Sequence, residues 1–191
     1  MIHNQNAVRA LALVGMPGSG KTVCAKHLEA RGYYQFRFGG IVVGEVSNRG
    51  WEITPENERI VREELRDKEG MDVMAKRALP LLKTALAEQS SIVIDGLYSF
   101  SEYKTLRKRL GVGMIVVAIF APRHLRYERL ANRPERPLTA EEAEARDWQE
   151  IETIEKGGPI ALADYTLIND QDENLLTTQL DTLLDQLGLQ P

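Results

Sequence analysis

Residues 15–22 read Gly-Met-Pro-Gly-Ser-Gly-Lys-Thr, a complete match to the pattern G-x-x-x-x-G-K-[ST]. The residue types follow from what a phosphate-binding loop has to do. Glycines let the backbone curl until successive N–H groups point at phosphate oxygens. A helix that begins where the loop ends aims its positive dipole end at the same anion. Lys21 brings an ammonium to the β- and γ-phosphates, and Thr22 offers a hydroxyl to Mg²⁺. The flanks agree. Val8–Val14 is a mostly apolar run that reads as a buried strand, and Lys21–Arg31 reads as a helix ended by Gly32. Strand, loop and helix in that order are the context the motif needs; a glycine-rich turn without a ligand is the plain alternative. The expected nucleotide contacts are therefore Gly15, Met16, Pro17, Gly18, Ser19, Gly20, Lys21 and Thr22, with Val23 in the first helical turn.

Composition narrows the partners. A chain of 191 residues, 43% hydrophobic and 27% charged, suits one ordinary globular domain with a substantial core. A net charge of −4 with no long basic run argues against a general nucleic-acid binder, so a phosphate site has to be built from local arginines. The single cysteine, Cys24, allows no disulfide within the chain and suits a reducing compartment; it reads as a small buried hydrophobe. The N-terminus shows no basic-then-apolar signal, and no apolar run approaches membrane-spanning length. The expectation is a cytoplasmic protein with no membrane partner.

The rest of the chain alternates. Tyr33–Phe38 reads as a second strand ended by Gly39-Gly40. Thr54 caps a helix that starts at Pro55 and stops at Gly70. A second helix spans Met71–Ala87. Strands at Ser91–Asp95, Gly113–Phe120 and Tyr165–Ile168 are separated by helices at Ser101–Leu110, Pro122–Arg133 and Thr139–Lys156. The last of these opens on a capping box of Thr139 and Glu142 and is expected to end at Gly157-Gly158-Pro159. Glu173–Leu187 closes the chain as a helix. This predicts an α/β fold in three layers, a parallel sheet with helices on both faces. Residues 40–90 form a helical insertion and residues 133–146 a short break, both beside the carboxyl ends of the strands, where such sheets bind ligands. Asp95 ends its strand as an acidic Mg²⁺ ligand would, opposite Thr22; a loop-capping Asp is the alternative.

Gly15–Thr22, Ile94-Asp95-Gly96, Arg129 with Arg133, Arg146-Asp147 and Ala163-Asp164-Tyr165 followed by Asn169 together resemble the P-loop kinases of the adenylate kinase and dephospho-CoA kinase type. Thr54–Asn57, Glu64–Arg66, Ala75–Arg77 and Ile160–Tyr165 extend the resemblance over nearly the whole chain, to a group of adenylate-kinase-related proteins best known from archaea. The resemblance implies a single P-loop kinase-like domain over residues 1–191, with 40–90 as the acceptor-binding insertion and 133–146 as a short lid. It implies an ATP-dependent, Mg²⁺-requiring transfer of the γ-phosphoryl group to a small nucleotide-like acceptor. Lys21, Asp95, Arg133 and Arg146 would be catalytic, and Thr22 and Asp95 would hold the metal. Arg129 would bind the nucleotide, and Asn169 and Asp170, at the end of the last strand, would sit near its adenine edge. In this chemistry positioning and charge stabilisation supply most of the rate. Arg126, Arg107 and Arg109 read instead as solvated helix charges.

The chain departs from the family at the acceptor. Gly40 and Val43 stand where an Asp and an Arg are usual, and Leu97-Tyr98-Ser99 follows Asp95-Gly96 where an Arg is usual. Arg66 and Arg77, which match the group's pattern, are the expected substitute grips; Arg62 shares a helix face with Arg66. Two other readings stay open: an ATP-binding switch or slow ATPase with no small-molecule acceptor, and a dephospho-CoA kinase-like or other hydroxyl kinase. The segment Phe36-Arg37-Phe38-Gly39-Gly40 offers no carboxylate as a base for a hydroxyl acceptor, whereas a phosphate acceptor is already an anion and needs none.

Overall fold

Five strands form one parallel sheet within residues 8–191, the part of the chain that the computed structural model describes. They are β1 (Val8–Val14), β2 (Tyr34–Arg37), β3 (Ile92–Asp95), β4 (Gly113–Phe120) and β5 (Tyr165–Ile168), in the order β2-β3-β1-β4-β5. The expectation about the first seven residues, that they carry no targeting signal, lies outside the described residues. β1 is central because it is apolar on both faces, as a strand covered on both sides has to be. Ala10, Ala12 and Val14 join the core on one side, and Leu11 and Leu13 join it on the other. The register sets Leu13 beside Asp95 of β3 and Val117 of β4. The end of β1 is thus the point where the strand order reverses, the place where open α/β sheets bind ligands.

The helices divide between the faces. α1 (Lys21–Ala30) and α9 (Glu173–Leu187) cover one side with Cys24, Leu28, Leu176, Leu180 and Leu184. Cys24 is fully buried there, and burial pushes its thiol up to about 12. On the other side lie α2 (Gly39–Asn48), α3 (Pro55–Glu69), α4 (Val73–Glu88) and α5 (Phe100–Arg109), which bury Val42, Val46, Val61, Leu65, Ala78, Leu82 and Leu106. The expected caps are present: the Thr54 hydroxyl accepts from Asn57 N at 3.2 Å, and Thr139 and Glu142 cap each other's ends. Around the far strands run α6 (Arg123–Ala131), α7 (Ala140–Glu152) and the short α8 (Gly157–Ala161). No helix among the described residues is long and apolar enough to cross a membrane.

Two expectations need correction. Gly39-Gly40 does not merely end a strand; it opens α2. Val42 and Val46, one helical turn apart and both buried, drive that helix, so tertiary burial outweighs the poor propensity of three glycines. The helix expected to run to Lys156 stops at Glu152, and Gly157-Gly158-Pro159 starts α8 rather than ending α7. Gly158 is required there: a Cβ would meet the Phe100 ring at 2.6 Å.

Candidate active site

The loop between β1 and α1 is held from below. Asn169, buried at the end of β5, donates from Nδ2 to Ser19 O at 2.8 Å. Gly20 caps α1 with a left-handed φ of 107°, and a Cβ at that position would land on the Asn169 amide. Arg129 donates in turn to Asn169 O at 3.1 Å and Oδ1 at 3.3 Å. Asn169 and Arg129 thus brace the loop, and the Asn169 amide is engaged with Ser19 O. Asp170 lies exposed beside them.

Arg126 corrects the reading of a solvated charge. Its side chain is 8% exposed and forms a bidentate pair with the equally buried Asp147, at 2.9 and 2.5 Å. The same guanidinium donates to Pro17 O at 3.0 Å, so α6 and α7 are both tied to the loop.

Lys21 folds its ammonium onto Gly15 O at 2.6 Å and Met16 O at 3.2 Å. Burial, and then the nearby Lys156, bring its pKa down from 10.5 to about 7; Glu150 and Asp95 oppose the shift and Arg146 adds to it. The sign of the linkage is definite. Between pH 7 and 10.5 the unfolded lysine binds a proton that the folded one has released, so stability rises with pH across that window. Urea unfolding should show the wild type gaining stability relative to Lys21→Met between pH 7 and 10. A constant difference between the two would contradict the shift.

Thr22, Asp95, Arg133 and Arg146 face Lys21 across one cavity of about 370 Å³, which Pro17, Gly18, Tyr98, Glu150 and Lys156 also line. All four thus line the same cavity as the loop lysine. Among the described residues Arg133 has no carboxylate within ion-pair distance, and burial with Arg146 and Arg136 nearby pushes its pKa down. Such a cluster attracts a polyanion. A second cavity of about 650 Å³ opens between α3 and α7, where Arg59, Met71, Leu138 and Gln149 contribute. Arg62, Arg66, Arg146, Glu150 and Ile154 line both, so the two join into one cleft. Arg66 is 10% exposed, 3.7 Å from Glu102, with its Nε unpartnered. Arg77, expected beside it, lies elsewhere: Glu45 at 3.0 Å and Glu69 take its guanidinium outside both cavities.

No cluster of three His, Cys, Asp or Glu side chains able to cage a metal occurs among the described residues. Mg²⁺ at a phosphate site needs no such cage, being held by one or two protein groups together with phosphate oxygens and water. Thr22 and Asp95, on the wall of one cavity, are the groups that would hold it.

The family described as an AAA domain matches residues 11–149. A UPF0200 protein of Thermococcus onnurineus is 35% identical over 180 residues, covering 93% of this chain and 97% of its own length. The chain belongs to the UPF0200 family, with an AAA domain as its P-loop module. The resemblance to an archaeal kinase-related group is thereby borne out. The fold of the UPF0200 chain is also that of solved structures. The crystal structure of TT1252 from Thermus thermophilus superimposes with a TM-score of 0.64 at 20% identity, covering 95% of this chain and 98% of that one. Shikimate kinase from Acinetobacter baumannii in complex with shikimate gives 0.55 at 19% identity, covering 95% and 96%. At such identities the likeness is one of fold, a P-loop kinase-like α/β sheet.

Sequence reasoning missed Lys156 and Glu150 in this UPF0200 site. Lys156 reads locally as the end of a helix, and no motif marks it. Only the turn after α7 carries it back to the cavity.

Proposed function

We propose that this chain is an ATP-dependent phosphotransferase that moves the γ-phosphoryl group to a small, nucleotide-like acceptor. One observation carries the reading: the phosphate cavity at Lys21 opens directly into a second, larger cavity through shared arginines. A switch or simple ATPase has no use for that second chamber. The loop amides and Lys21 would hold the triphosphate. Mg²⁺, when bound, would neutralise phosphate charge. Arg133 and Arg146, from the lid segment, would meet the charge on the moving phosphoryl group, where preorganised cations act most strongly. Arg62 and Arg66 would orient an anionic acceptor, and Met71, Leu138 and Ile154 would receive its apolar part. Residues 36–40, at the end of β2, carry no carboxylate, which favours an acceptor that is already an anion. The buried, reduced thiol of Cys24 suits a cytoplasmic enzyme.

The test is a panel. The protein is mixed with ATP, Mg²⁺ and, one at a time, nucleoside monophosphates, nucleosides, dephospho-CoA and small hydroxy acids, and ADP is followed together with the phosphorylated product. Acceptor-dependent ADP with a phosphorylated monophosphate is the expected outcome. Phosphate release that no acceptor accelerates would overturn the transferase, and product on a hydroxyl would overturn the acceptor class.

A further inference from the structure

Lys156 is buried, yet it lines the phosphate cavity with Lys21, Asp95 and Arg146. Its placement is heavily determined. Glu155, just before it, adopts a left-handed φ of 60°, uncommon for a residue with a side chain. The Glu155 carboxylate accepts from Ser101 N at 3.1 Å and from Ser101 Oγ at 2.9 Å, which pins the turn to the start of α5. Lys156 N donates to Glu150 O at 3.0 Å, and the Tyr98 ring lies 4.6 Å from Nζ. A lysine facing solvent has no need of a strained turn, a capped neighbour and an aromatic floor.

The charges around it do not balance. Glu150 pairs with Lys156, and the same carboxylate accepts from Arg146 Nε at 3.2 Å. One carboxylate thus serves two cations, while Lys21 and Arg133, on the same cavity wall, have no carboxylate within ion-pair distance among the described residues. Buried cations without full compensation are costly, and an incoming phosphate relieves that cost. Glu150 stands at the join between the two cavities. Its carboxylate thus lies between the cavity at Lys21 and the second, larger one.

We propose that Lys156 is a second phosphate-contacting lysine, held by Glu150 until nucleotide arrives and then paired with the γ-phosphate of the bound triphosphate. Lys156 is then a catalytic residue, and Glu150 is the internal anion that the γ-phosphate replaces. This rests on the nucleotide-binding reading above. It makes a demand that a merely structural lysine does not meet: its effect depends on whether the third phosphate is present.

Calorimetric titration with Mg·ADP and with a non-hydrolysable ATP analogue tests it. In Lys156→Met, which keeps the apolar stem, the analogue should bind about 10- to 100-fold more weakly, the range for losing one charge-assisted hydrogen bond. ADP should bind as it does to the wild type. Because Lys156→Met leaves the buried Glu150 with Arg146 as its one remaining cation, the double variant Lys156→Met with Glu150→Gln is the control for folding and, measured against Glu150→Gln alone, should show the same selective loss. An unchanged ratio of analogue to ADP affinity in the double variant would overturn the proposal while leaving nucleotide binding intact. Equal losses for both ligands would overturn it too. If the wild type took up neither ligand, the functional reading would fall and this proposal with it.

Discussion

Lys21→Ala should remain folded and lose phosphoryl transfer by at least about 10²–10³-fold, the cost of removing one preorganised transition-state donor. The structure explains why the two effects separate. Among the described residues the Lys21 ammonium contacts two loop carbonyls and no carboxylate, and its burial depresses its pKa to about 7. Burying that charge works against the fold at neutral pH, so truncation does not cost stability. Melting should be unchanged or higher in the variant, and an assay coupled to ADP release should be near background. A folded Lys21→Ala protein with wild-type turnover would remove the loop from the mechanism altogether.

Asp147→Ala should have the opposite profile, with a large loss of stability. Asp147 and Arg126 are each 8% exposed and paired through both oxygens, and Tyr127 Oη adds a contact to Asp147 at 3.3 Å. Removing the carboxylate strands a buried guanidinium, which costs about 3–5 kcal/mol. The double replacement Asp147→Leu with Arg126→Met should recover most of that loss, since a well-packed apolar pair often matches a buried ion pair. It should not recover nucleotide affinity, because the Arg126 contact to Pro17 O, which ties α6 to the loop, is gone. Urea unfolding separates these outcomes, and a cost below 1 kcal/mol for Asp147→Ala would show that the pair does not anchor α7.

The parts of the molecule that were legible in the sequence are those whose physics is local. β1, β4, β5 and α9 follow the expected residues because mostly apolar runs and local stop signals mark their limits. The phosphate loop is eight consecutive residues whose backbone makes the site. α2 was hidden because Gly39, Gly40 and Gly44 argue against a helix, and only the distant core explains why Val42 and Val46 form one. The arginines divide for a similar reason. Periodicity shows the face of α6 or α7 on which Arg126 or Arg146 lies. It does not show that Asp147 reaches across to the first and leaves the second open to the cavity. Arg66 and Arg77 match one pattern equally well, yet Glu45 on α2 captures Arg77 from 32 positions away. Lys156 depends on a turn whose cause is Ser101, on another helix.

The seclusion of Cys24 has a practical consequence. A thiol that is closed off from solvent and reluctant to ionise is a poor nucleophile, so maleimides and other alkylating dyes will pass it by. A cysteine introduced on the outer face of α7 would then carry a lone fluorophore or spin label, with no native thiol to strip first.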